Sequence, residues 1–254
     1  MDIRMFLMSI FILISSIVFA QEEVLPQEVL PQEVSPRPFV CVGEKFTYEV
    51  RLLGFKIGTQ IDQVLGKELI NGQETYHFKS EIKTNPFFSK FYYLSEQIDS
   101  WVGTSNLLPV RTITDIDRGK YRKHYEFLVN HANKKATVSS EHSNTTQQID
   151  ITSNTLDSLS LIYYLRNQEL KLGNSYNFTL LTKSGVEQVK VRIVKEEKVS
   201  TPYGKSTTLM AKQIGADTDI TIWFTTDKTH IPVKIEVGTE AGLLTAYLCK
   251  KENR

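Results

Sequence analysis

The stretch DSLSLIYYLRN, residues 157–167, decides the fold, because its pattern is helical while most of the chain after residue 40 alternates like β-strand. Thr155 or Asp157 can serve as the N-cap. The two faces of this helix carry Leu156, Leu159, Ile162, Tyr163 and Arg166 on one side and Leu161, Tyr164 and Leu165 on the other. A helix that is apolar on nearly every side must be enclosed. We therefore predict a mainly β protein in which a strongly curved antiparallel sheet, or incomplete barrel, holds one helix. The alternative, a helix that covers one face of a flat sandwich, would leave half of its apolar side chains in water; part of this stretch could also extend a strand.

Two passages on either side of the helix follow the same order of strand-forming segments. Residues 101–113, WVGTSNLLPVRTI, and 223–235, WFTTDKTHIPVKI, share a Trp strand, a turn and then Pro-Val-(Arg/Lys)-x-Ile. The two tryptophans of the chain each open one copy. This order predicts an internal duplication, or at least the same meander used twice. We expect two similar meanders, at about 43–130 and 173–250, within a single β domain over 41–250.

The N-terminus has the layout of a secretory signal peptide over residues 1–20. Arg4 precedes an apolar run over 5–19, and Val18 and Ala20 occupy the −3 and −1 positions of a small-residue cleavage site. An uncleaved N-terminal anchor is the alternative. The pattern predicts export, and we expect the periplasm of a Gram-negative bacterium.

Residues 21–40 are rich in Pro and Glu and predict a disordered tether, since they lack the apolar residues of a core. The formal net charge of the chain is +1, which gives no electrostatic reason to expect nucleic-acid binding. After residue 20, no apolar run is long enough to predict a membrane span.

The chain has two cysteines, Cys41 and Cys249, which bracket the predicted domain. In an oxidising compartment such a pair predicts a disulfide that joins the ends of the domain, with two free thiols as the alternative. The sequence predicts no metal site and no cofactor.

The segment 84–101, TNPFFSKFYYLSEQIDSW, is dense in aromatic residues. Such density is typical of core packing at a sheet corner, or of the wall of an apolar mouth. If the curved sheet holds a ligand, the candidate wall residues are Phe87, Phe88, Phe91, Leu159 and Tyr163.

A basic segment, 117–127, contains cations that could face anionic lipid headgroups or an acidic polysaccharide; a solvated strand face is the alternative. Its basic residues are Arg118, Lys120, Arg122, Lys123 and His124.

The sequence assigns no catalytic residue. It contains no Gly-x-Ser-x-Gly elbow and no phosphate-binding glycine loop. A hydrolase would require His77, His124 and His230 to meet beside carboxylates in a cleft.

Several stretches together resemble a family of exported bacterial proteins, domain-of-unknown-function family 3108. They are GEKFTYEVRLLGFKIGTQ, the aromatic segment 84–101, LDSLSLIYYLR and IWFTTDKTHIPVKIEV. The resemblance runs from about 43 to 248 and implies an antiparallel fold and an exported location, with no catalytic residues. The Trp–Pro-Val hairpin also looks like one found in periplasmic lipoprotein carriers, half-open barrels that hold acyl chains in an apolar trough. Those carriers have more helices than this chain, so its single helix could itself fill the trough.

Taken together, these features predict a non-enzymatic module that binds an apolar envelope component, such as a lipid or acyl chain, or that assists envelope assembly. A scaffold that docks another envelope protein through a sheet edge is the alternative. An envelope hydrolase is the third hypothesis.

Overall fold

The computed structural model describes residues 40–141, 145–214, 219–239 and 242–253. The predicted signal peptide, residues 1–20, and the predicted tether up to residue 39 lie outside the described residues. Within the ranges described, no helix combines the length and the apolar character that a membrane span requires.

The described chain forms strands, one α-helix and one short 3-10 helix. The strands are β1 Lys45–Leu52, β2 Phe55–Ile70, β3 Gln73–Thr84, β4 Ser95–Gly103, β5 Pro109–Asp117, β6 Arg122–Asn130, β7 Lys135–Ser140, β8 Thr145–Asp150, β9 Thr155–Leu156, β10 Ser175–Thr182, β11 Gly185–Thr201, β12 Gly204–Ile214, β13 Ile220–Thr225, β14 Pro232–Thr239 and β15 Gly242–Glu252. The helices are α1, Ser158–Arg166, and the 3-10 helix Phe88–Lys90.

All of these strands belong to one sheet, in the order β8-β7-β6-β5-β4-β3-β2-β1-β15-β14-β13-β12-β11-β10-β9. The first and last strands meet at its centre, where β1 and β15 are antiparallel from Lys45↔Glu252 to Leu52↔Leu244. Neighbouring strands are antiparallel except β9 and β10, which are parallel. The sheet curves until side chains of β6, β7 and β8 pack with Leu181 of β10, but it does not close into a barrel. The predicted mainly β, strongly curved antiparallel fold is confirmed.

The prediction of two similar meanders is confirmed by matching contacts in two six-stranded meanders, β1–β6 and β10–β15. Trp101 Nε1 on β4 donates to Glu68 of β2 at 2.8 Å. Trp223 Nε1 on β13 donates to Glu197 of β11 at 2.7 Å. A register shift follows each tryptophan, at Trp101/Val102 and at Trp223/Phe224. The two halves therefore share their irregularities as well as their strand order.

The start of each meander repeats the same turn. Gly43 N donates to Val64 O, and Gly173 N donates to Ile193 O, both at 2.9 Å. Both glycines have a positive φ, 85° and 87°, in the left-handed region that favours glycine. The shared turn fixes the entry into β1 and into β10, the two strands that begin the repeats.

Helix α1 lies between the two meanders, as predicted. Asp157 is its N-cap, and its carboxylate accepts from Ser160 N in a capping box. Tyr163 stacks on Phe78 of the first meander, with ring centroids 3.8 Å apart. Leu165 packs in a cluster with Phe178 and other buried side chains of the second meander. Because both faces find apolar partners, the helix is enclosed.

Candidate ligand-binding cavity

A cavity of about 290 Å³ lies between the concave face of β4–β6 and the end of β10. The duplication explains its position. In the repeat, β6 corresponds to β15 and β10 to β1, and β15 pairs with β1. The strand β6 does not pair with β10; it pairs with β7, while β9 occupies the edge of β10. We call the place where β6 and β10 approach without pairing the open seam, and the β1–β15 junction the closed seam.

Most of the wall of the seam cavity is apolar or aromatic. It is formed by Ile98, Ile116, Tyr121, Tyr125, Phe127, Leu180 and Leu181, with the threonines Thr112, Thr114 and Thr182 between them. Ile98 and Thr114 are directly opposite each other on β4 and β5, and Thr114 is opposite Tyr125 on β6. Their side chains share one face of the sheet because side chains alternate along a strand. Concave, mainly apolar cavities with few polar groups are typical of small-molecule sites.

The N-terminus of α1 contributes Asp157 and Ser158 to the wall. Asp157 is buried and accepts hydrogen bonds from Ser100 Oγ at 2.5 Å, Thr112 Oγ1 at 2.6 Å and Ser160 N at 2.7 Å. These contacts hold the helix against β4 and β5. Because three donors already satisfy its carboxylate, Asp157 acts as a structural residue that positions α1 at the cavity.

Three cations line one rim of the cavity: Arg118, Lys123 and Lys183. They lie in the β5–β6 turn, on β6 and just after β10, so they come from both sides of the open seam. Burial lowers the pKa of Lys183, and the charges of Lys123 and Arg118 lower it further. Hydrogen bonds to the hydroxyls of Tyr121 and Tyr125 raise the pKa of Lys123. The three positive charges are therefore close enough to repel one another.

One carboxyl group, Glu96, also lines the cavity. Burial raises its pKa, and Arg118 is the neighbouring charge that opposes the rise. Among the ion pairs of the described residues, none joins Glu96 to Arg118 within 4.0 Å. The Arg118 Nε atom and the Tyr92 hydroxyl are both buried without a hydrogen-bond partner. Burial raises the pKa of Tyr92, the charge of Arg118 opposes the rise, and the charge of Glu96 adds to it.

A smaller cavity of about 140 Å³ continues from the rim toward β7 and β8. The two cavities share Lys123, Tyr125 and Lys183. The remaining wall of the smaller cavity consists of Val138, Ser140, Thr145 and Gln147. The cationic rim therefore lies between a mainly apolar space and a more polar one.

The structure does not bring the five predicted wall residues together. Phe87 and Phe91 are in the segment after β3 and are 64% and 59% exposed. Phe88 packs against the core cluster around β1 and β15. Leu159 and Tyr163 face the interior of the first meander. None of the five belongs to the seam cavity, and their part in ligand binding stays a prediction.

The basic segment of β5–β6 contributes residues to the wall of the seam cavity, whereas the aromatic segment 84–101 contributes none of its predicted wall residues. Arg118 and Lys123, two of its predicted anion-facing residues, line the seam cavity. The sequence does not single out Lys183 or the apolar wall as parts of a site. A lysine in a turn and alternating apolar residues are ordinary features of any sheet protein. Only the pairing of the strands shows that they converge.

The histidines of the described residues do not converge on one site. His77 hydrogen-bonds Glu68 and Asp99 on the face opposite the cavity, while His124 contacts Asp115 and His230 contacts Arg166 O. No group of three or more His, Cys, Asp or Glu residues in the described part of the chain could hold a metal ion.

The predicted disulfide is not formed in the structure, where Cys41 and Cys249 are both free. Cys41 lies in the turn before β1, and Cys249 Sγ donates to Thr47 O at 3.2 Å. Pairing of the two thiols stays a prediction.

The fold and cavity define a class of protein: a duplicated, strongly curved antiparallel sheet around one helix, with an apolar cavity where the two repeats fail to pair. The chain belongs to the family described as "Protein of unknown function (DUF3108)", whose sequence profile matches residues 47–248. The family resemblance carried by the sequence is thus confirmed. Comparison with curated proteins gave no match.

Two solved structures are similar to this chain. One is a β-barrel-like protein of the domain of unknown function DUF1849 from Brucella abortus, with a TM-score of 0.57, 10% identity, and coverage of 84% of this chain and 98% of that one. The other is a candidate exported protein with a YmcC-like fold from Bacteroides fragilis, with a TM-score of 0.32, 9% identity, and coverage of 83% and 96%. The first similarity supports the fold alone.

Proposed function

We propose that this protein is an exported, non-enzymatic binding module that holds an apolar or amphipathic small molecule of the lipid class in the seam cavity. The observation that supports this proposal is the cavity of about 290 Å³ with a mainly apolar wall at the open seam. Its volume is close to the lower end of the range of ligand sites, roughly 300–1,000 Å³. A single chain or a small ring system fits this size better than a two-chain lipid does.

The proposed location rests on the sequence. Residues 1–20 have the charge, apolar run and cleavage site of a signal peptide, and residues 21–40 would form an N-terminal tether of the exported domain. A periplasmic module of this kind meets envelope lipids as its available apolar ligands. Envelope assembly is the process in which such binding would be used.

The test uses the full chain, exported and purified without detergent. Native mass spectrometry should show an added mass that organic extraction removes. The extracted protein should then bind N-phenyl-1-naphthylamine, a neutral apolar fluorophore, with an increase in its emission.

A cavity-filling pair of variants locates the binding. Ile116→Trp, on the concave face of β5, should abolish the fluorescence increase, because the indole occupies the cavity. Ile113→Trp is the matched control, since it lies on the opposite face of the same strand. Equal binding by both variants, or no binding by the wild type, would overturn the proposal.

One observation favours the scaffold as second candidate. The strand β8 ends the sheet order, and five of its six residues are exposed. An unpaired strand edge can accept a further strand from a partner. A photocrosslinking residue at Gln148 should capture an envelope protein in living cells if this edge is a docking site, and no captured protein would count against it.

A further inference from the structure

No carboxylate of the described residues forms an ion pair with the cationic rim of the seam cavity. Lys123 lies over the rings of Tyr121 and Tyr125, and none of Arg118, Lys123 and Lys183 forms an ion pair within 4.0 Å in the described structure. The Nε atom of Arg118 is buried and unpartnered. A buried donor without an acceptor costs stability, and it is typical of a group that awaits a ligand or a water.

The closed seam shows that the fold does not require these charges. There, the residue that follows β1 is Leu53, and it lies against Gly242 at the start of β15, where an added Cβ would be 2.7 Å from Leu53 Cδ2. The residue that follows β10 in the second repeat is Lys183, and it lies near Lys123 and Arg118 of the turn and strand that face it. The same junction carries a leucine, 64% exposed, in one copy and a group of three cations in the other.

The cavity has one apolar part and one positively charged part. The apolar side chains reach from β4 to β10, and the three cations stand together at one rim. Of the two carboxyl groups in the wall, Asp157 already accepts hydrogen bonds from three donors, which leaves Glu96 as the one other carboxyl group beside three cations. Positive charge therefore dominates the polar end of the cavity.

We infer that the ligand is an anionic amphiphile with a single apolar chain, whose carboxylate or phosphate head group is bound by Arg118, Lys123 and Lys183. This inference rests on the proposed function, since it names the ligand of the same cavity. Guanidinium and ammonium groups form charge-assisted hydrogen bonds with carboxylate and phosphate oxygens. The chain of the ligand would lie along Ile98, Ile116 and Leu180.

Displacement of N-phenyl-1-naphthylamine from the full chain tests the inference. The competitors are dodecanoate, dodecyl phosphate, dodecanol and inorganic phosphate, with the two anionic amphiphiles below their critical micelle concentrations and dodecanol below its solubility limit. We expect dodecanoate and dodecyl phosphate to compete about tenfold or more better than dodecanol, as one charge-assisted hydrogen bond would give. Inorganic phosphate should not displace the fluorophore.

Three charge variants place the head group. Lys183→Gln and Arg118→Gln should each remove most of the preference for the anionic competitors while the fluorophore still binds. Lys120→Gln is the matched control, because it removes one positive charge from the same β5–β6 turn, is exposed and does not line the cavity. Lys183 is also exposed, so its variant keeps the test valid if Arg118→Gln does not fold.

The outcomes separate the two proposals. If dodecanol competes as well as dodecanoate, and the variants do not differ, the anionic head group is wrong while the apolar site stands. If inorganic phosphate inhibits binding of dodecyl phosphate at similar concentrations, the rim is an anion site without a chain requirement, and the inference is wrong. If the fluorophore does not bind at all, both the inference and the proposed function are overturned.

Discussion

Arg166 and Glu44, 122 residues apart, form a bidentate ion pair in the interior of the protein. Arg166 Nη1 is 2.5 Å from Glu44 Oε1, and Nη2 is 3.1 Å from Oε2, with both side chains less than 5% exposed. Arg166 Nε also donates to Thr229 O at 3.2 Å. The guanidinium lies over the rings of Tyr163 and Phe46. One side chain thus joins the end of α1 to the start of β1 and to the β13–β14 turn.

We expect Arg166→Met to destabilise the protein by about 3–5 kcal/mol, because it leaves the Glu44 carboxylate buried without its partner. Glu44→Leu should cost a similar amount by leaving the guanidinium uncompensated. The double variant Arg166→Met/Glu44→Leu should lose less than the sum of the single variants, since it leaves no buried charge. Urea unfolding of the four proteins measures the coupling.

An exposed ion pair supplies the control for this cycle. Arg122 Nε is 3.1 Å from Asp117, and its side chain is 78% exposed. Arg122→Met should change the free energy of unfolding by roughly 0–1 kcal/mol. Equal losses for Arg166→Met and Arg122→Met would show that the interior pair is not held as the structure has it.

The sequence was sufficient for the overall fold because its strongest signals are local. Alternating apolar residues and the two Trp–Pro-Val passages predicted a duplicated antiparallel sheet. The apolar side chains all around residues 157–167 predicted an enclosed helix, since such a helix has no face for water. The residues of β7 and β8 gave a weaker signal: only one of the six residues of β8 is buried, so its apolar alternation is almost absent.

The site was harder to predict because it depends on which of two equivalent junctions stays open. The strand order within a repeat does not distinguish β6 from β15, or β10 from β1; in the structure, β7 adds to β6 and α1 precedes β10. Aromatic density pointed to Phe87, Phe88 and Phe91, yet two of the three are mostly exposed. The cations Arg118 and Lys123 were visible as a basic segment, but their convergence with Lys183 is a long-range property of the fold.

Gly58 is a position where the sheet has no room for a side chain. On β2, this residue is opposite Val50 of β1 and Thr84 of β3, and a Cβ there would lie 2.4 Å from Lys83 O. Gly58→Ala must therefore move backbone, and we expect a loss of about 1–3 kcal/mol, as for other overpacked sites. Thermal unfolding followed by circular dichroism measures it.

Gly66 is the matched control on the same strand. A Cβ at Gly66 would meet nothing within 4 Å. Gly66→Ala should be neutral or stabilise the protein by about 0.4–1 kcal/mol, because it lowers the entropy of the unfolded chain. If Gly58→Ala proves as stable as Gly66→Ala, the close approach of β2 and β3 is not present in solution.

Cys249 should react slowly with iodoacetamide. Burial raises the pKa of its thiol, and the nearby Lys56 only partly opposes this. Because the thiolate is the nucleophile, alkylation of a Cys41→Ser variant near pH 8 should be several-fold slower in the folded state than in urea. Quantitative labelling of the unreduced wild type should find two thiols per chain, as in the structure. A count of zero that rises to two on reduction would establish the disulfide that the sequence predicts.

His77 makes the stability of the outer face of the sheet depend on pH. Its Nδ1 atom is 2.8 Å from Glu68 Oε1, its Nε2 atom is 2.7 Å from Asp99 Oδ1, and its ring stacks on Trp101. Burial alone would lower the pKa of His77, but the hydrogen bonds to Asp99 and Glu68 outweigh it and raise the pKa above its usual value of 6.5. The protonated imidazole is therefore favoured in the folded state.

The sign of the effect follows from linkage. Because the folded-state pKa of His77 is raised, its contribution is full below pH 6.5 and is lost as the pH rises through the folded-state value. The pKa values of Glu68 and Asp99 are lowered, so their contributions are present above their usual values and are lost only in acid. In mildly acidic solution, all three groups therefore stabilise the folded state.

We expect His77→Gln to remove the decline in the free energy of unfolding between about pH 6 and pH 9, a change of about 1 kcal/mol or less given the partial exposure of the pair. Urea unfolding at a series of pH values measures the slope. His124→Gln is the control, because it removes an imidazole that contacts Asp115 where both side chains are more exposed to solvent. If the wild-type slope survives in His77→Gln but disappears in His124→Gln, His124 causes the pH dependence. That result would refute the proposed charge state of His77.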